Sequence, residues 1–141
     1  MAALTTEQPR DYGVEPTPLD NHLPMTAIKI FAGAAVSRAS TGDVRGLNIA
    51  DEGFEGFARQ TFDNSAGSAG GEKVKVRQRG IVILDVVGVT DDSDVADSVY
   101  ASDEDVFTLT AGSNLLVGKV RRWISGTTCE VYFEALSVRS I

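Results

Sequence analysis

The sequence predicts an all-β fold, a small β-sandwich or partly closed β-barrel that follows an extended N-terminal arm. Short β-favouring runs recur along residues 26–141, which we take as one β domain. Turns rich in glycine separate these runs, and the chain contains 14 glycines. No amphipathic pattern indicates a helix longer than about two turns, and a short helix fits only within residues 44–60 and 97–105.

The first 25 residues differ in composition from the rest. All 4 prolines lie here, and because proline fixes φ and removes an N–H donor, this segment is expected to form neither a helix nor a central strand. Composition alone leaves open a disordered tail. Spaced apolar residues favour instead an extended arm that docks along a groove or sheet edge of another chain. The candidate contact residues of the arm are Pro9, Tyr12, Val14, Pro16, Pro18, Leu19, Leu23 and Pro24.

The central stretch 51–87 is predicted to form a strand, a glycine-rich loop and a long strand. Residues 53–58 suit a half-buried strand, and residues 63–71 contain too little apolar surface to pack a core. From residue 73 onward, apolar and basic residues alternate, which is typical of a strand with one buried face. The expected inward residues are Val74, Val76, Ile81 and Ile83, the expected outward ones are Lys73, Lys75, Arg77 and Arg79, and Gly80 is expected to form a bulge or bend.

Shorter strands are predicted on both sides of this stretch. They are expected within residues 26–31, 34–38, 44–49, 98–101 and 106–110.

The clearest hairpin joins residues 115–124 and 127–136 through the turn Ser125-Gly126. A two-residue loop places Val120 opposite Val131 and Arg121 opposite Glu130. The predicted core face comprises Leu116, Gly118, Val120, Cys129, Val131 and Phe133. The predicted outer face comprises Lys119, Arg121, Trp123, Glu130, Tyr132 and Glu134. Outward aromatic rings often mark protein interfaces, so Trp123 and Tyr132 are candidates for a subunit contact.

Composition excludes several classes of function. A net charge of −7 argues against nucleic-acid binding as the main task. There is no apolar run long enough for a membrane span and no pattern of a secretion signal. Cys129 is the only cysteine, so an internal disulfide is excluded. Cys129 is expected to be a small core residue.

Candidate chemistry is sparse, and we expect neither an enzyme nor a bound cofactor. The only histidine, His22, lies in the arm without a fixed partner, and one histidine with one cysteine cannot complete a zinc site. The segment before Lys73 superficially resembles a phosphate-binding loop, but Glu72 and Val74 occupy positions that require Gly and Ser or Thr. The acidic span 85–105 lacks the spacing and the mid-loop glycine of a calcium loop and is interpreted as a solvated, self-repelling loop, although binding of some cation there stays open.

Several short motifs occur in an order that resembles the small capsid decoration, or cement, proteins of tailed bacteriophages. They are Ala32-Gly33-Ala34-Ala35-Val36, Gly56-Phe57-Ala58, Asp63-Asn64-Ser65, Val74-Lys75-Val76, Val99-Tyr100-Ala101, Phe107-Thr108-Leu109-Thr110 and Leu116-Val117-Gly118-Lys119-Val120. The resemblance covers residues 28–133.

This resemblance implies a structural protein made in the host cytoplasm and located in the virion, on the outer surface of the icosahedral capsid. Such proteins clamp neighbouring major capsid protein subunits against the internal pressure of the DNA. They bind as homotrimers more often than as homodimers, commonly through an N-terminal arm. The arm at residues 1–25 is similar in placement and composition.

Two other functions are alternatives to this one. A carbohydrate-binding or adhesion module on a virion surface would use Trp123 and Tyr132 as a stacking platform. A carboxylate-based hydrolase would require a deep acidic pocket, and no spacing among the acidic residues singles out a pair.

Overall fold

A computed structural model describes residues 3–12 and 18–139. These residues form eleven strands and one 3₁₀ turn, and none of them lies in an α-helix. The strands are β1 (Leu19–Pro24), β2 (Lys29–Ile30), β3 (Ala35–Arg38), β4 (Val44–Gly46), β5 (Gly53–Ala58), β6 (Phe62–Asp63), β7 (Lys73–Val87), β8 (Ser98–Asp103), β9 (Val106–Thr108), β10 (Leu115–Ser125) and β11 (Thr128–Glu134). The 3₁₀ turn spans Asp92–Asp94.

Five strands close into a barrel. β7 pairs with β11, β11 with β10, β10 with β8, and β8 with β9, all antiparallel. The ring closes where β9 pairs with β7 in parallel. The all-β prediction is therefore confirmed, and the barrel is fully rather than partly closed. The main core joins side chains of these strands to those of β5, and its members include Phe54, Phe57, Val82, Phe107, Val131 and Phe133.

The 15-residue strand β7 extends beyond this barrel and joins it to a second layer. Its N-terminal half pairs with β1 and β5, and the sheet continues from β5 to β3 and β4. This half has a core of its own, composed of Leu23, Met25, Ile30, Ala34, Val36, Val44, Ala58, Val74 and Val76. A bridge between Met25 and Val44 brings the end of β1 to β4.

Backbone hydrogen bonds show what lies on each side of β7. The carbonyl of Lys75 accepts the first N–H after β5 (2.8 Å), and the N–H of Ile83 donates to the carbonyl of Asp11 (3.0 Å). Successive residues of a strand direct their backbone N–H and C=O groups to opposite sides. The odd-numbered residues of β7 therefore direct theirs to one side, where β5, residues 11–12 and β9 follow one another along the strand. The carbonyl of Gln78 accepts from Ala135 on the other side. On that side, β1 and then β11 pair with β7 along its length.

The burial of β7 differs from the prediction beyond Gly80. Val74 and Val76 are buried as expected, but the inward residues after Gly80 are Val82, Leu84 and Val86, while Ile83 is only half-buried. Ile81 is also buried, because the strand is covered on both faces there. Alternation of apolar residues cannot distinguish the two faces of such a strand.

The predicted bulge at Gly80 is absent from the pairing with β11, which keeps its register over residues 79–85. The irregularity lies instead between Leu19 and Asp20 of β1, which pair with Arg79 and Arg77 and leave Gln78 unopposed. Gly80 still has a φ of +156°. Residues 53–58 form the predicted strand, but all six are buried rather than half-buried.

The C-terminal hairpin has the predicted pairing of Val120 with Val131, but a bulge follows. Arg122, not Arg121, lies opposite Glu130, and Arg121 is the extra residue. Both arginines still donate to the carboxylate of Glu130, each at 2.6 Å. The bulge shifts the alternation of side chains in the rest of β10 by one residue. Trp123 therefore lies opposite Cys129 and packs on the barrel core. The prediction that Trp123 faces outward is therefore wrong.

A second bulge, between Leu116 and Gly118 in the pairing with β8, overturns another assignment. Val117 takes the buried position, and Leu116, predicted to lie in the core, is 38% exposed. Cys129 is a free, fully buried thiol, as predicted. The runs 26–31, 44–49 and 106–110 form shorter strands than predicted.

Candidate functional site

Residues 3–12, here called the N-terminal segment, lie against the same chain in the gap along β7 between β5 and β9. The N–H of Gln8 donates to the carbonyl of Ala32 (2.7 Å), and the carbonyl of Asp11 accepts from Ile83 (3.0 Å). The N–H of Leu4 donates to a carboxylate oxygen of Glu104 at 2.7 Å. These three hydrogen bonds use the backbone of the segment, as in strand addition.

Arg10 is the most deeply inserted charged residue of the N-terminal segment. Its Nε donates to the carbonyl of Gly33 (2.6 Å), and its Nη2 forms an ion pair with Asp105 (2.7 Å). The guanidinium also lies over the rings of Phe57 and Phe107, at 5.7 and 5.6 Å from their centroids. Nothing in the sequence pattern of the arm distinguished Arg10, because its partners are 23 and 95 residues away.

Tyr12 lies between two guanidinium groups. Arg59 and Arg77 approach its ring at 4.9 and 4.8 Å from the centroid, and Phe133 contacts it from the barrel at 6.4 Å. Burial raises the pKa of the Tyr12 phenol, and this effect outweighs the lowering by Arg77 and Arg10. Tyr12 thus serves as an anchor, as predicted from the sequence, but within its own chain.

The second part of the predicted arm forms β1. Leu23 is buried in the second core and pairs with Val74. Asp20 forms an ion pair with Arg77 and lies 3.9 Å from the ammonium of Lys75. Part of the basic row predicted on β7 is therefore neutralised within the chain.

The outer edge of β1 is directed away from β7. The backbone N–H and C=O groups of Val74 and Val76 point toward β1. Those of their partners, Leu23 and Asn21, therefore point toward β7. His22, between them, therefore directs its backbone outward, where its N–H donates to the side-chain Oδ1 of Asn21 at 2.9 Å. Its side chain is exposed, as are those of its neighbours on the N-terminal side.

The predicted arm residues divide into three groups. Tyr12 and Leu23 pack on the chain's own cores, Leu19 and Pro24 are half-buried in β1, and Pro9 and Pro18 are exposed. Val14 and Pro16 lie outside the residues that the structure describes.

A cavity of about 280 Å³ opens on the outer face of the hairpin, here called the hairpin cavity. It is lined by Ser98, Leu116, Val117, Gly118, Lys119, Tyr132, Glu134 and Arg139. Tyr132 lies opposite Lys119 and is the aromatic residue that the sequence placed correctly on this face. Burial and the neighbouring Glu134 carboxylate raise the pKa of Tyr132.

Trp123 does not share this site. Its indole Nε1 donates to the carbonyl of Gly126 at 3.0 Å, which fixes the ring over the hairpin turn. Because Trp123 pairs with Cys129, it is displaced from Tyr132 by three residues, about 10 Å along the strand, and it faces the other side of the sheet. The two rings do not form a joint stacking platform.

Residues 91–97, here called the acidic turn, use their carboxylates for local capping. Asp91 accepts from the N–H of Ser93 (2.8 Å), and Asp94 accepts from the N–H of Thr90 (2.8 Å). The latter bond holds the pKa of Asp94 below its usual value. Within residues 3–12 and 18–139, no three His, Cys, Asp or Glu side chains are grouped so that they could bind a metal ion.

Comparisons with known proteins give no identification: no family model matches the chain, and no curated protein or solved structure is significantly similar to it. Among the described residues, no helix is long and apolar enough to cross a membrane.

Proposed function

We propose that this protein is a non-enzymatic structural protein of a virion, which binds the outer surface of an icosahedral capsid. There it cements neighbouring major capsid protein subunits against internal DNA pressure. The proposal includes self-association, with a homotrimer favoured over a homodimer. It rests on the resemblance of residues 28–133 to phage decoration proteins and on the geometry of the predicted arm.

The observation that supports it most is the edge strand β1. An extended segment already adds to the barrel through backbone pairing, over residues 19–24. Among the described residues, β7 is the single strand that pairs with β1, and the outward side of β1 ends at Pro24. An edge of this kind can receive an extended segment of a neighbouring protein by strand addition.

The energetics suit a multivalent assembly. Ordering a partner segment costs roughly 1–2 kcal/mol per residue in backbone entropy. The contacts that a single short strand forms offset little more than this entropic cost. An oligomer that presents several such edges benefits from the high effective concentration of the second and later contacts. β1 lowers the cost further, since it is already ordered on its own chain.

Co-sedimentation with expanded heads that lack decoration protein tests the proposal. Full-length wild-type protein should pellet saturably with the heads. Removal of residues 1–24 is a poor variant, because it takes Leu23 from the core and leaves the side of β7 that faces β1 without a partner strand. A single His22→Pro substitution instead removes the outward N–H that a partner strand would take over from Asn21 Oδ1, and the ladder to β7 is retained.

We expect His22→Pro to reduce head binding at least about tenfold, and His22→Ala, which keeps the N–H, to bind like the wild type. Equal binding by all three would keep the capsid role and exclude the β1 edge. Absence of wild-type pelleting would overturn the proposed function.

A further inference from the structure

The hairpin cavity exists because of two local irregularities in β10. The bulge between Leu116 and Gly118 turns Leu116 outward to the rim. Gly118 allows the two strands to approach closely, since a Cβ there would lie 1.9 Å from the carbonyl oxygen of Tyr132. The result is an apolar concavity large enough for one aliphatic side chain of a partner.

The rim of the cavity includes two cationic groups with spare hydrogen-bonding capacity, beside one carboxylate, Glu134, which interacts with Tyr132. Lys119 is exposed beside Tyr132 and is paired with no carboxylate among the ion pairs of the described residues. Arg139 reaches the carbonyl of Leu116 only at 3.4 Å, and its Nε is buried with no hydrogen-bond partner among the described residues. A buried donor without a partner is costly, so a ligand that supplies an acceptor is favoured.

The chain itself presents a segment with the matching chemistry. In the acidic turn, Val95 is 41% exposed and follows Asp94 directly. Ala96, the next residue, is the single non-glycine with positive φ among the described residues (+78°). Its N–H donates to the carbonyl of Val120 at 2.8 Å, which fixes the turn to β10.

The turn and the cavity are neighbours on one molecule. The acidic turn ends beside Ser98, which lines the cavity and pairs with Lys119. A surface that carries a knob and a hole of opposite charge allows head-to-tail contacts between identical chains, in which the knob of one copy enters the hole of the next, and such contacts form a closed ring when the rotation between copies closes.

We propose that two copies of this chain contact each other here, with Val95 of one copy in the hairpin cavity of the next and its aspartates facing Lys119 and Arg139. The inference deepens the proposed function, because it assigns residues to the self-association on which the cement role relies. The predicted contact role of Tyr132 belongs to this surface.

Sedimentation velocity on full-length protein without capsids tests the contact. The wild type should self-associate with rising concentration, and added salt should weaken the association. Val95→Arg removes the knob and Leu116→Arg blocks the hole, so each should lower the association constant at least about tenfold. Ile49→Arg is the matched control, since Ile49 is also 41% exposed but lies outside this surface.

A mixture of the two variants gives a sharper result. Val95→Arg keeps an intact cavity and Leu116→Arg keeps an intact Val95, so the mixture should form mixed pairs, joined by one intact contact, more strongly than either variant associates alone. Unfolding midpoints confirm that the variants fold. A monomeric wild type, or equal loss with Ile49→Arg, would overturn the contact, whereas head binding by a monomeric wild type would leave the cement role intact.

Discussion

Arg10 and Asp105 form an ion pair of 2.7 Å that joins the N-terminal segment to the turn between β8 and β9. The arginine side chain is only 7% exposed, against 34% for the aspartate. A charge buried to this extent is stable only with its partners in place. The start of the chain is thus fixed to its own barrel, and contacts with another protein must use the surfaces that remain outside.

Replacement of Arg10 by Met should lower the free energy of unfolding by about 2–3 kcal/mol, because the carbonyl of Gly33 loses a buried donor. Arg121→Met is the control: this arginine is exposed and shares Glu130 with Arg122, so about 0.5 kcal/mol or less is expected. Urea denaturation measures both. Equal losses would show that the Arg10 contacts contribute no more than a surface pair.

Gly33→Ala should displace the N-terminal segment, because an added Cβ would lie 1.4 Å from the carbonyl oxygen of Gln8. Gly88→Ala is a matched control with a similar φ, +101° against +90°, and only ordinary contacts around the new Cβ. Backbone strain is therefore common to both variants.

The two variants differ at the amide of Ile83, which donates to Asp11 of the displaced segment. Hydrogen exchange of this amide should be at least about tenfold faster in Gly33→Ala than in Gly88→Ala. Equal exchange rates would contradict the placement of the segment along β7.

Glu55 is a fully buried carboxylate that binds the C-terminal turn to β3 and β5. It accepts from the Nε of Arg38 (2.8 Å) and from the N–H and hydroxyl of Ser137 (2.8 and 3.0 Å). Glu55→Ala should cost about 3–5 kcal/mol, because the donors are left without their acceptor. The exposed Glu52→Ala should cost no more than about 0.5 kcal/mol. Thermal and urea unfolding measure the stability of both variants. A smaller difference in unfolding free energy between them would show that water replaces the carboxylate as the acceptor.

Glu104 should make stability depend on pH with an unusual sign. Burial raises the pKa of this carboxyl, although the N–H of Leu4 lowers it in part. The folded state therefore keeps its proton to higher pH than the unfolded state, and stability falls as pH rises from the unfolded pKa, about 4.3, through the higher folded pKa.

Glu104→Gln removes this penalty while an amide oxygen can still accept from Leu4. Relative to the wild type, the variant should gain stability as pH rises through this window and keep the gain above it. Unfolding free energies of both proteins between about pH 3 and 8 give the difference curve. A variant that loses stability with rising pH instead would show that the ionised carboxylate is net favourable.

The candidate surfaces were only partly visible in the sequence. Tyr132 was placed correctly because β11 keeps an unbroken register with β7, so that alternation alone fixes the face. Trp123 and Leu116 were misplaced, since each adjoins a bulge that shifts the face by one residue. Arg10 and the acceptor role of Asp105 had no local signal, because their pairing spans 95 residues.

By itself the sequence determined the all-β class, the position of most strands and the pairing of Val120 with Val131. These follow from alternation and turn chemistry, which act between residues close in the chain. Tertiary structure decided the closure of the barrel through the parallel contact of β9 with β7, and the docking of residues 3–12 beside it. Both depend on contacts between residues distant in sequence, whose energies arise only when the chain has folded.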